Sequence, residues 1–190
     1  LALELPYNFL LFKQMHKNLY LNQKFTKFIN NENFEFDRSK ILKILNSDLL
    51  EDAYKTISKW QKYQPTPLEN LNKLSNELKL KNIFYKDESK RFGLKSFKAL
   101  GGAYAVEKIT KGKKNVIVST ATAGNHGKSV AWGAKNLGLN CKIFISENVS
   151  ETRAEEMRNL NAEVIRVKGN YEDSLNFCKE ESKKNNWEII

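Results

Sequence analysis

Lys98 stands in the run SFKALGG (residues 96–102), between an aromatic side chain and a pair of glycines. Ser96 is suited to cap a helix running from Phe97 to about Lys108, which puts Lys98 in its first turn. There the positive end of the helix dipole disfavours an ammonium. Lys86, Lys90, Arg91 and Lys95 lie close in sequence, and their like charge, or partial burial beside Phe97, acts in the same direction, toward a more nucleophilic amine. The alternative is a solvated surface lysine. Gly101 and Gly102 each cost about 1 kcal/mol relative to alanine inside a helix, so the pair predicts a close approach by something else.

A second candidate site is TATAGNHGKS (residues 120–129). A loop of small residues that leaves a strand and opens a helix aims backbone N–H groups at an anion, either a carboxylate or a phosphate. It is not a phosphate-binding P-loop, because the glycine needed five residues before Gly127 is replaced by Thr122. His126 can be a general base or can simply hydrogen-bond its neighbours. Metal ligation is not expected, since the only other histidine is His16.

The elements that must position these residues are legible from Asn115 onward. NVIVST, CKIFIS, AEVIRV and WEII read as strands. Between them lie three helical stretches, the first carrying Val130, Ala134 and Leu137 on one face and ending at Gly138. Strands alternating with helices predict an α/β fold with a parallel sheet and crossover helices, in which ligands sit beyond the carboxyl ends of the strands. Upstream, Asp48 to Trp60 reads as a helix with Leu49, Ala53 and Ile57 on one face. YQPTPLENL reads as a loop and NIFYKDE as a strand. Residues 1–36 have no clear pattern, although LALELPYNFLLF suits a buried strand or helix better than a signal peptide.

Composition narrows the function classes. The chain has 190 residues, is 41% hydrophobic and carries a net charge of +10. Only five of its 32 basic residues are arginines, and the lysines are scattered among acids and asparagines, so a solvated surface is expected rather than a nucleic-acid site. No apolar run reaches the length of a membrane helix. Cys141 and Cys178 match neither a disulfide framework nor a metal spacing. A cytoplasmic setting is expected, with both cysteines in the core.

The order and spacing of YQPTPL, KDESKRFGLKSFKALGGAYAV and STATAGNHGKSVAWGA resemble the fold-type II pyridoxal-phosphate enzymes, most closely the diaminopropionate ammonia-lyases, from about Trp60 to Ile190. The resemblance implies a tryptophan-synthase-β-like fold, incomplete at the C-terminus. Residues 1–60 would be an N-terminal segment, and 61–190 the first part of the catalytic region. It implies that Lys98 forms the Schiff base with pyridoxal 5'-phosphate, that Phe97 and Asn125 contact that cofactor, and that Thr122, Ala123, Gly124 and His126 hold a substrate carboxylate. The implied reaction is α,β-elimination of ammonia from a small amino acid, 2,3-diaminopropionate first, by a homodimer. Diaminopropionate ammonia-lyases carry an aspartate where this chain has Ala123, and TAGNHG is similar to the loop of serine and threonine dehydratases. Dehydration is therefore the alternative activity, and a catalytically incomplete fragment is another.

Overall fold

The computed structural model describes residues 37–190, so the expectations for residues 1–36 lie outside the described residues. The chain divides into two units after Ile44. The described part of the first contains helix α1 (Arg38–Ile44), at whose start the Asp37 carboxylate accepts hydrogen bonds from the Ser39 amide and hydroxyl at 2.9 and 2.6 Å.

The second unit begins with α2 (Ser47–Ile57), capped by Asn46, which accepts from the Leu49 amide at 2.9 Å. The helix stops three residues short of the expected Trp60, and Leu49 remains half exposed, so the predicted apolar face is only partly covered. What holds α2 in place is polar: Asp52 accepts from the Tyr104 hydroxyl at 2.6 Å and from Lys108 at 2.7 Å. Strands β1 (Leu68–Asn70) and β2 (Phe84–Lys86) pair antiparallel on either side of α3 (Asn72–Leu78). The end of the segment read as a loop is thus a strand. It is too short for an alternating pattern to register.

The α/β pattern follows as expected: α4 (Lys98–Thr110), β3 (Ile117–Ala121), α5 (Asn125–Asn136), β4 (Asn140–Ser146), α6 (Glu151–Arg158), β5 (Ala162–Val167), α7 (Tyr171–Asn185) and β6 (Glu188–Ile189). The four strands β3 to β6 form one parallel sheet in the order β5-β4-β3-β6. Local chemistry fixes the helix ends. Gly138, just beyond α5, adopts a φ of 66°. Asn170 and Asp173 form a reciprocal capping box at the start of α7.

Burial follows the strand periodicity. Val118, Ile143 and Ile145 from the sheet pack with Val106, Val130 and Met157 from α4, α5 and α6, whereas Phe144 and Cys178 belong to a second cluster with Trp187. Both cysteines are buried and unpaired, and burial pushes the Cys141 thiol up to about 12. Leu137 departs from its expected face and lies partly exposed, because it falls just after the last turn of α5. Among the described residues no helix is long and apolar enough to cross a membrane.

Candidate active site

The segment between β2 and α4 is organised by a buried arginine. Arg91 donates to both carboxylate oxygens of Glu88 at 2.7 and 2.8 Å, to the Gln64 carbonyl at 3.0 Å and to the Thr66 hydroxyl at 2.9 Å. These bonds to the charged form hold the Glu88 carboxyl down at about 2. Lys86 donates to the Thr66 carbonyl at 2.6 Å. Arg91 and Lys86 thus fix the backbone around Thr66, and the Arg91 charge is balanced by Glu88.

Between this network and α4 the backbone takes an unusual course, with positive φ at Phe92 (48°), Gly93 (75°) and Lys95 (57°). A non-glycine residue in that region costs on the order of 1–3 kcal/mol and needs its surroundings to hold it there. The Phe92 ring stacks on Trp132 of α5 with centroids 4.7 Å apart and also meets Trp60 at 5.8 Å. Trp60 is fixed in turn by donating from its indole to Glu107 at 2.7 Å.

Helix α4 then starts at Lys98, one residue later than expected, and the Ser96 hydroxyl accepts from the Lys98 amide at 3.2 Å. The Lys98 side chain is exposed and Phe97 is 60% exposed, so the expected burial beside Phe97 does not occur; the residues buried on this turn are Ser96 and Ala99. The Lys98 ammonium lies 5.4 Å from the centroid of the Phe97 ring and has no hydrogen bond or ion pair among the described residues.

The close approach predicted by the two glycines occurs at one of them. A Cβ on Gly102 would stand 2.4 Å from the Ser129 hydroxyl, whereas one on Gly101 would meet open space. What approaches is helix α5. Its Gly133 likewise lies against Ala103, whose Cα would be 2.8 Å from an added Cβ. Ser129, fully buried, donates to the Lys98 carbonyl at 2.7 Å and accepts from the Ala103 amide at 3.1 Å. The first turns of α4 therefore meet α5 at Ser129, and the two helices carry Lys98 and Asn125 at their respective starts.

The loop before α5 leaves the carboxyl end of β3. Thr122 continues the strand, its amide donating to the Phe144 carbonyl at 3.1 Å. Gly124 is the cap residue and supplies no side-chain bond. Asn125 is the first helical residue, exposed, with no partner for its amide among the described residues. His126 is partly buried, with Nδ1 3.5 Å from where a Cβ on Gly102 would lie and Nε2 3.5 Å from the Ile190 carbonyl. Ala123 packs against the core beneath the loop.

A shallow cavity of about 170 Å³ opens beside this loop, lined by Ala123, Gly124, Asn125, Lys128, Arg153 and Glu156. Sequence reasoning missed the last three. Lys128 pairs with Glu156 at 3.3 Å, and Arg153 comes from α6, the helix after β4. Their only signal was position, because in a parallel sheet the turns after adjacent strands open on one edge.

The sequence is similar to diaminopropionate ammonia-lyase of Escherichia coli K12, at 38% identity over 67% of this chain and 37% of the relative. It is also similar to the biosynthetic L-threonine dehydratase of Haemophilus influenzae, at 35% identity over 67% of this chain and 24% of the relative. The crystal structure of the Escherichia coli diaminopropionate ammonia lyase in complex with an aminoacrylate-PLP azomethine reaction intermediate matches with a TM-score of 0.78 and 34% identity, over 85% of this chain and 44% of that one. The chain thus spans less than half the length of these relatives. The expected parallel-sheet fold of fold-type II enzymes is the one observed. The model of the family described as pyridoxal-phosphate dependent enzyme matches residues 59–190, and with most of its length so matched the chain belongs to that family.

Proposed function

We propose that the full-length protein carrying this chain is a pyridoxal-phosphate-dependent ammonia-lyase that eliminates ammonia from a small amino acid, with 2,3-diaminopropionate as the favoured substrate. The observation that supports this reading is that the helix starting at Lys98, whose amine has no polar partner among the described residues, is tied through Ser129 to the helix that opens at Asn125, whose side-chain amide has none among them either.

The residues present fit the cofactor. Lys98 offers an exposed nucleophile suited to an aldehyde. Asn125 offers an amide able to bond a ring hydroxyl, and an added Cβ on Gly124 would meet open space, leaving room above the loop. Pyridoxal phosphate, when bound, supplies an electron sink that makes the substrate α-proton acidic. Lys98 is the base placed to take that proton. The first-turn N–H groups of α5, where no side chain caps the helix, suit the substrate carboxylate, and Arg153 adds positive charge to a cavity where Lys128 is paired with Glu156. A β-amino group leaves as ammonia from its protonated form, whereas a β-hydroxyl needs an added acid.

A second reading, dehydration of serine or threonine, is supported by the TAGNHG loop, which has alanine at position 123 as those dehydratases' loop does, and by the 35% identity to an L-threonine dehydratase. The test is Lys98→Ala in the full-length protein. Borohydride trapping should lose its cofactor adduct and turnover should fall by several orders of magnitude. Stability should change by only about 0.5 kcal/mol, since alanine suits an exposed helical site. An adduct that persists in the variant removes Lys98 from this role. Rates on diaminopropionate against L-serine and L-threonine decide between the two readings.

A further inference from the structure

We infer that Ser129 is a positioning residue for Lys98, a role that rests on the reading of Lys98 as the cofactor-bearing amine. The Ser129 hydroxyl is fully buried and satisfied in both directions, donating to the Lys98 carbonyl at 2.7 Å and accepting from the Ala103 amide at 3.1 Å. Both partners belong to α4 and Ser129 belongs to α5. One side chain therefore clasps the beginning of the lysine helix at two backbone points and ties it to the helix that opens at Asn125.

The clasp acts where placement is most sensitive. Lys98 reaches its target through four rotatable bonds, and no partner among the described residues restrains its ammonium beyond contact with the exposed Phe97 ring. The aim of the amine thus depends on where its Cα is held relative to the Asn125 loop. Gly102 makes the arrangement possible, since a Cβ there would stand 2.4 Å from the Ser129 hydroxyl. An error of about 1 Å in such a placement can cost on the order of 100-fold in rate.

The test compares wild type with Ser129→Ala and Ser129→Gly in the full-length protein. Amide exchange should accelerate about tenfold or more at Ala103 and its neighbours in α4 while the sheet stays protected. Borohydride-trapped adduct on the Lys98 peptide should form about tenfold more slowly, and kcat should fall similarly with KM nearly unchanged. Faster exchange with unaltered trapping and kcat would make Ser129 a packing residue and overturn the inference, as would failure of both variants to fold. If wild type itself yields no adduct at Lys98, the proposed function and this role fall together. If wild type traps normally and both variants match it, only the Ser129 role falls.

Discussion

Phe92 and Trp132 stack with their ring planes 28° apart, although Phe92 holds a left-handed backbone that costs energy. The stack, with the Trp60 contact beside it, packs the segment leading to Lys98 against α5. Trp132→Ala should therefore destabilise the protein by about 3 kcal/mol, near the lower end for removing a packed tryptophan. Urea denaturation of the full-length protein measures it. An unchanged midpoint would show that Phe92 is held by something other than Trp132.

The Glu88–Arg91 pair predicts a pH dependence. Glu88 has a folded pKa of about 2 against an ordinary 4.5, so its contribution is complete above pH 4.5 and is lost as the pH falls toward 2. At 1.36 kcal/mol per unit, that contribution is about 3 kcal/mol. Glu88→Gln should remove the stability difference between pH 5 and pH 3 that this carboxylate supplies. Denaturation midpoints at both pH values test it, and an equal slope in wild type and variant would contradict the assignment.

Asn125 makes no capping bond, so its loss should spare the fold. Asn125→Ala should leave the melting temperature within about 2 °C while weakening pyridoxal-phosphate binding by roughly 1–3 kcal/mol, the cost of a lost polar partner. Cofactor titration followed by absorbance, beside a thermal melt, separates the two effects. Reduced stability with normal binding would make Asn125 structural.

Ala123→Asp bears on stereochemistry. A carboxylate there would add a second base near the loop, and a positioned base is worth on the order of 100- to 10,000-fold. Turnover of D-diaminopropionate should rise relative to the L-enantiomer, with some stability lost because Ala123 packs on the core. Steady-state rates on both enantiomers provide the check, and a D to L ratio unchanged by the substitution would contradict it.

The parallel sheet was legible because its strands are β-rich runs separated by helical periods, and Val118, Ile143 and Ile145 stand buried as those runs require. The site was legible as two short motifs, but their relation was not. Sequence marked Gly101 and Gly102 alike, yet only Gly102 faces Ser129, because helix rotation decides which glycine meets the neighbour. Ser129 carried no signal, since a serine inside a helix looks the same whether it faces water or clasps a backbone. Arg91 looked like a free charge although Glu88 stands three residues before it, and its other partners, Gln64 and Thr66, lie more than twenty residues upstream. The positive φ of Phe92 had no signature either, as glycine or asparagine would be the expected residue there.

The order of strands has a consequence for synthesis. Strand β3 is bonded on one side by β4, which follows it closely, and on the other by β6, so that Thr120 meets the Ile190 carbonyl across a separation of 70 residues. A chain emerging from the ribosome can close β3 onto β4 early, but the second edge of β3 stays open until residues 188–190 arrive. Through that interval Ile117–Ala121 offers an unpaired row of backbone groups to any similar strand nearby. Translation stalled before Glu188 would leave nascent chains able to join edge to edge, so β6 acts as a protective cover for β3 as well as a strand.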